Sequence, residues 1–441
     1  MLPIPLPDAW SLAWLPLAAL GWPLLLAVAG MVRTLRRPAQ WLAAWSALPA
    51  LAVALFSPDA TLSLPGLLLG GSLVLDATGR WLLLGVALAW LAAASASAAR
   101  LRENGFAVVF LAALAGAIWL TLAGDLPTFL AAGTLAGYSL YVLLGGREAG
   151  RALVVLLLIG DLIVLELMLM LAKHTAGLDF PTLREALGHA GERDLLLVLV
   201  LLGFGTKAGL MGLHYWVAPA LVRVTGGLAP VVIVFMLAAG VLPWLRLLPV
   251  GGPQWPEVAV LLLWLTPVAS LWALVAGLLQ REARAVLGYA ACGLTALWLA
   301  TLGQVMSQSA ARLVIETLPS AAVQAGIGVG VMLLATTITG GTGIRLFAVA
   351  AAMAAALLTA MAMVGLTELV GLRIEPAVLA LLLGCPALLI GRALWLLRHV
   401  DGDAVGPGSP GAAIPRCRRR ANTCVPSRRG AISSAIRTSS G

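Results

Sequence analysis

Apolar residues run along this chain in long continuous blocks, not in strict alternation with polar ones. The blocks fall at about 12–32, 41–57, 81–99, 105–123, 126–145, 151–172, 194–213, 227–246, 257–279, 285–304, 319–338, 345–366 and 376–397. Most approach the twenty residues that an α-helix needs to cross a hydrocarbon core about 30 Å thick. In lipid every backbone N–H and C=O must be satisfied within the segment or in a closed barrel. Continuous blocks select helices over a barrel, whose strands alternate apolar and polar positions. The pattern predicts an all-α, polytopic membrane protein of about 13 transmembrane helices.

Charges and turn residues punctuate the blocks, as in RTLRRP at 33–38, RLREN at 100–104 and GGREAG at 145–150. Loops after odd-numbered blocks hold more Lys and Arg than loops after even-numbered ones, which places the N-terminus outside and the C-terminus in the cytoplasm of a plasma (inner) membrane. Trp10, Trp41, Trp81, Trp244 and Trp255 sit near block ends, as interfacial anchors do. Residues 57–80 and 173–194 are the longest loops, and FPTLREAL at 180–187 reads as a short surface helix opened by Thr182 as its cap. Residues 1–11 carry no Lys or Arg beside the first block, so no secretory signal is expected there. The reading divides the chain into a membrane domain, 1–400, and a basic tail, 401–441, whose Gly, Pro, Ser and Arg cannot bury a core and are expected to be disordered.

Composition agrees with the blocks: 61% of residues are hydrophobic, 11% are charged and the mean hydropathy is +1.00. About a quarter of the residues of a soluble chain are charged, so this chain has too little polar surface for a water-soluble globule. The net charge of +9 resides mostly in Arg416, Arg418, Arg419, Arg420, Arg428, Arg429 and Arg437 of the tail, which removes any reason to expect nucleic-acid binding. Cys292, Cys385, Cys417 and Cys424 have neither zinc-ligand nor disulfide-framework spacing. With no CxxC, haem-ligand pair or glycine-rich dinucleotide loop, no cofactor and no metal are expected.

The stretch GFGTKAGLMGLHYWVAPA at 203–220 carries more information. It resembles the seventh-helix signature of the antiporter-like subunits of NADH:quinone oxidoreductase (complex I) and Mrp cation/proton antiporters, written roughly K-A-G-x-x-P-x-H-x-W-L-P-x-A. Lys207, Ala208, Gly209, His214, Trp216 and Ala220 match, while Gly212 stands where Pro is usual and Leu221 replaces a second His. Four further stretches agree in family order: 62–76 before the third helix, 125–150 for the fifth helix and its loop, 227–246 for the eighth, and QREARAVLGYAA at 280–291. The antiporter-like core spans about 60–300. The resemblance also implies groups that this chain lacks. The fifth-helix Glu should fall near Gly133 or Thr134, the eighth-helix Lys falls on Ala238, and the Lys of the 280–291 run is Arg284.

Lys207 lies deep in its block, where a charge costs roughly 2.5–3.5 kcal/mol on insertion scales. Gly203, Gly205 and Gly209 surround it and would let another backbone approach or the helix break, so a discontinuous seventh helix is expected. The family mechanism implies a carboxylate that holds Lys207 charged and releases its proton by moving away. Asp161 and Glu166 lie inside block 151–172. Five residues turn a helix by about 140°, so at most one of the two faces Lys207. Asp161 is read as the counter-ion in place of the missing Glu; hydrogen bonding to neighbouring helices is its alternative role. His214, seven residues beyond Lys207, falls about two turns on along the same face and could pass a proton outward, or anchor the interface together with Tyr215 and Trp216. Arg284 and Arg392 read as snorkelling side chains.

Taken together, Lys207, Asp161, His214 and Glu166 are the candidate site of a proton- or monovalent-cation-translocating membrane subunit. Its partners would be the lipid bilayer and the other membrane subunits of a hetero-oligomeric complex resembling NADH:quinone oxidoreductase. The rival reading is a structural membrane scaffold that has lost translocation, which the missing Glu and Lys positions favour.

Overall fold

The computed structural model describes residues 14–64, 66, 71–103, 105–146, 151–210, 212–224, 226–248, 256–307 and 384–396. Helices dominate: α1 (Leu15–Met31), α2 (Arg36–Ala43), α3 (Leu48–Phe56), α4 (Ala77–Ala96), α5 (Phe106–Leu122), α6 (Leu126–Leu143), α7 (Arg151–Leu171), α8 (Phe180–His189), α9 (Arg193–Ala208), α10 (Val217–Arg223), α11 (Ala229–Leu247), α12 (Pro256–Leu278), α13 (Ala283–Ser307) and α14 (Gly384–Leu396). Five of them are long and apolar enough to cross a membrane: α4, α6, α7, α11 and α13. The blocks expected at 319–338 and 345–366, and the tail from 401, lie outside the described residues.

Two expectations change. Block 41–57 is not one straight span, because α2 and α3 are separate helices bent by 44° to each other. The loop 57–80 contains a β-hairpin, β1 (Ala60–Leu64) against β2 (Gly71–Leu75), in antiparallel register from Ala60↔Leu75 to Leu64↔Gly71. The hairpin is a small departure from an all-α fold. The alternating TLSL and SLVL stretches that flank Gly70 and Gly71 carry the period of two that a strand requires.

α11 lies at the centre of the bundle, and every residue of its span is buried. α5 packs on α6, α7 on α9, and α12 on α13. Across Leu237–Val241, α11 winds as a π-helix, a local widening that recurs at functional sites. Gly240 in this segment meets Ala208 so closely that a Cβ would lie 2.5 Å from the Ala208 Cα. Ala238, where the family resemblance implies a lysine, is fully buried here.

One end of the bundle is stitched by polar groups. Asp76, Asp125 and Asp179 cap α4, α6 and α8 by accepting from the backbone N–H of Gly79, Thr128 and Thr182 at 2.6, 2.7 and 3.1 Å. The cap of α8 is thus Asp179, not Thr182 as its sequence suggested; the Thr182 hydroxyl instead donates to the Asp179 carboxylate at 2.7 Å. A carboxylate satisfies an orphan helix N–H and also complements the positive end of the helix dipole. Asp125 additionally accepts from the Ser72 backbone N–H and, at 2.8 Å, its hydroxyl, joining the hairpin to α6.

Arg246, near the C-terminus of α11, is the hub of this end. It donates to the Ala123 carbonyl, to the Thr121 carbonyl at 3.2 Å and to Asp76 at 3.0 Å. Its guanidinium lies 5.9 Å from the Phe180 ring centroid. Arg184 on α8 in turn donates to the Leu245 and Arg246 carbonyls at 3.0 and 2.9 Å. Replacing Arg246 by methionine strands two buried carbonyls and the Asp76 carboxylate. Asp76 is 43% exposed, so the cost falls below the about 3–5 kcal/mol lost when a fully buried pair is broken. The expected outcome is a clear fall in the thermal unfolding temperature of the detergent-purified protein, with Arg246→Lys intermediate.

Candidate functional site

The site is built where α7 and α9 touch. Gly160 and Gly203 form the contact: a Cβ on Gly160 would collide with the Thr206 hydroxyl and lie 3.0 Å from the Gly203 carbonyl oxygen. A Cβ on Gly203 would lie 2.9 Å from Val164. Small residues of this kind let membrane helices approach to backbone distance. Asp161 follows Gly160, and Lys207 lies one turn beyond Gly203, so the glycine contact brings the two side chains together. Lys207 Nζ is 2.7 Å from Asp161 Oδ1, with 1% of the lysine side chain and 15% of the aspartate side chain exposed. The approach is close but off hydrogen-bonding angles, so it is an ion pair without a directed bond.

α9 stops directly after the lysine. Gly209 adopts a left-handed conformation (φ 68°), accepted at little cost by glycine alone, and its N–H bonds back to the Gly205 carbonyl. The chain then runs without regular helix until α10 begins at Val217. Ending a helix inside the bundle frees carbonyls that need donors. Trp216 supplies one: its indole N–H donates to the Thr206 carbonyl at 2.8 Å. Lys207 is therefore held at a helix C-terminus, where a cation is favoured by the helix dipole.

This break changes the geometry expected for His214. It does not lie two turns along the helix of Lys207, because that helix ends at Ala208. His214 is buried and belongs to an aromatic cluster instead. Trp272 donates to its Nε2 at 3.1 Å, Tyr215 stacks on it at 4.8 Å, and Tyr289 meets it edge-on at 5.6 Å. Trp272 and Tyr289 tie it to α12 and α13. Glu166 points elsewhere: it is exposed on the outer face of α7 and makes no ion pair or hydrogen bond among the described residues. Of the four candidates, the structure brings Asp161 and Lys207 into contact and places His214 and Glu166 in separate surroundings. Arg284 donates to the Val224 carbonyl at 3.0 Å and Arg392 to the Gln280 carbonyl at 3.2 Å.

Thr134 enters the site unannounced. It occupies one of the two positions where the family resemblance calls for a glutamate. Its hydroxyl donates to the Leu130 carbonyl at 2.8 Å and lies 3.5 Å from Asp161 Oδ2. Thr134 also lines an open groove of about 680 Å³ between α6 and α7, with Leu130, Tyr138, Ser139 and Met168 among its walls. The lining is mainly apolar, and the hydroxyls of Thr134, Tyr138 and Ser139 are its polar side-chain groups. The sequence signal for the glycine contact was Gly160 itself, a small residue beside an acid in an otherwise bulky apolar helix.

A branched side chain at position 160 tests this contact. Gly160→Val forces α7 away from α9; overpacking of this kind costs about 1–3 kcal/mol. The expected result is a lower unfolding temperature, with Gly160→Ala milder, and an unchanged unfolding temperature for the valine variant contradicts the close approach.

Known proteins give this arrangement a context. Residues 123–327 match the family model described as NADH:quinone oxidoreductase/Mrp antiporter, transmembrane. The fold is similar to a chain of the Mrp complex from Dietzia sp. DQ12-45-1b, with a TM-score of 0.69 at 14% identity, covering 88% of this chain and 79% of that one. A chain of an archaeal membrane-bound sulfane sulfur reductase gives 0.62 at 18% identity, covering 89% and 87%. A chain of respiratory complex I from Thermus thermophilus gives 0.64 at 20% identity, covering 87% and 88%. No curated protein matches the chain by sequence. The resemblance read from the 203–220 motif and its four companions holds.

Proposed function

We propose that this chain, whose residues 123–327 match the family model described as NADH:quinone oxidoreductase/Mrp antiporter, is a proton- or monovalent-cation-translocating membrane subunit of a larger complex. The observation that carries the reading is the buried Lys207–Asp161 pair at 2.7 Å beside a break in its helix. Asp161 holds the ammonium of Lys207 charged. When the carboxylate swings toward Thr134 and the groove, the buried lysine loses its counter-ion, and the ammonium gives up its proton. Return of the carboxylate favours reprotonation. The groove between α6 and α7 supplies the side from which a proton reaches Asp161, through the hydroxyl of Thr134. His214, in its own aromatic cluster against α12 and α13, is the candidate for the next acceptor on that side.

In this reading α9 and α10 are two halves of one broken span, the seventh of about 13. The chain sits in the plasma membrane with its N-terminus outside and its C-terminus in the cytoplasm. Ala238 in the π-segment of α11 favours the structural scaffold as second reading, since an alanine there can hand no proton onward.

Proton flux into vesicles holding the purified protein, followed with a pH-sensitive dye, separates the two. Lys207→Met and Asp161→Asn are each expected to slow flux at least about tenfold, the effect of about 1.4 kcal/mol on a barrier. Flux equal to that of empty vesicles for the unaltered protein, or unchanged flux in Lys207→Met, leaves the scaffold. Stability provides a second readout. Each single substitution leaves an uncompensated buried charge and costs about 3–5 kcal/mol, whereas the double variant is expected to recover part of that loss.

A further inference from the structure

α7 has two faces of different character. Leu153, Leu157, Gly160, Val164, Leu167 and Leu171 form its buried stripe. On the other side Val155, Leu158, Ile159, Leu162 and Leu169 each expose 44–57% of their surface. Only 33% of this span is buried, the smallest share among the five candidate spans, and its hydropathy is the highest. Glu166 stands within the exposed apolar stripe. It lies five residues before the end of the helix, or about 7.5 Å at 1.5 Å per residue. A glutamate side chain is too short to snorkel back over more than one helical turn as a lysine or arginine does.

Neither lipid nor water suits such a surface. Lipid suits the leucines, isoleucine and valine but not a carboxylate, and ionisable residues inside membrane segments pair with one another or face polar cavities. Water suits the carboxylate but not the stripe. A second copy of this chain does not resolve the conflict. Two copies inserted in the same orientation and related by a two-fold axis along the membrane normal would bring the same helix face, and hence Glu166, against itself.

We infer that the outer face of α7 is a docking surface for an apolar transmembrane helix of a different subunit that sets a lysine or arginine opposite Glu166. The inference rests on the assembly part of the proposed function, not on translocation through Lys207. Glu166 supplies the register: one charge in an apolar stripe fixes both depth and rotation of the incoming helix, as a buried polar group does at other helix interfaces.

Photo-crosslinking residues placed at 162 and 169, one turn to either side of Glu166, test this in the full-length tagged chain within its native membrane. The expected result is a cross-link from both positions to one membrane protein, on an apolar segment that contains a lysine or arginine. E166Q then weakens retention of that protein through purification and E166K abolishes it. Exchanging the partner's basic residue for glutamate restores retention with E166K, a rescue that a misfolded variant cannot show. Cross-links to lipid alone, cross-links to another copy of this chain, or full retention of the partner in E166K overturn the inference. A partner that co-purifies while positions 162 and 169 reach only lipid overturns the docking face and leaves the subunit reading intact. Normal cross-links and rescue, with proton flux unchanged in Lys207→Met, overturn translocation and support the docking face.

Discussion

A charge inside the hydrocarbon region needs an opposite charge or water beside it, and the centre of this molecule is organised around that need at Lys207. The lysine is 1% exposed, and its counter-ion Asp161 comes from another helix. The pair therefore depends on how closely α7 and α9 approach. That approach depends on Gly160 and Gly203, where a single added methyl group has no room. The end of α9 at Gly209 then requires a donor for the freed Thr206 carbonyl, and Trp216 provides it. The widened segment of α11 takes up the other side, with Gly240 against Ala208. Pair, break, indole and π-segment form one chain of requirements.

The two buried cations among the described residues, Arg246 and Lys207, differ in a way that separates support from chemistry. Arg246 is held on several sides: an aspartate, two backbone carbonyls and an aromatic face surround its guanidinium. Its planar fork and permanent charge suit it to hold parts in place. Lys207 has three donors and one close acceptor, which it meets off-angle. A group paired with a single carboxylate can change partners without breaking a network. The polar end around Arg246 joins the hairpin, α4, α6, α8 and α11, and its bonds do not involve the Lys207–Asp161 pair.

Much of this was legible in the residues. Continuous apolar blocks announce membrane helices, and the motif around Lys207 carries the family resemblance and singles out the lysine. Gly209 sits in that motif, and its lack of a Cβ is what permits the helix to end there. Pro49, in the first turn of α3, is the residue that bends α2 and α3 apart, because its ring cannot continue a helix from the preceding turn. Other features depend on tertiary contact and leave a weaker trace. Asp179 outcompetes Thr182 as a cap because the chain extends through Leu178, whose carbonyl bonds to Leu126, and this sets Asp179 before the helix. His214 was misplaced because a periodicity of 3.6 residues was carried past a residue that stops the helix.

Loss of carriers and retention of the pair must be explained together. Thr134 and Ala238 stand where the family resemblance implies an acid and a base. A scaffold that had merely lost function would be expected to lose the pair as well or to tighten it, since removal of both charges is cheaper than burial of an imperfect ion pair. Persistence alone follows from mutual dependence, because removal of either partner strands the other. Mutual dependence does not account for the hydroxyl of Thr134 beside Asp161, nor for the open groove that Thr134 lines on the outer surface of α6 and α7. On the proposed reading these give the carboxylate a second place to go. A two-position carboxylate next to a lysine is the minimum that can move one proton, and it needs neither of the missing residues.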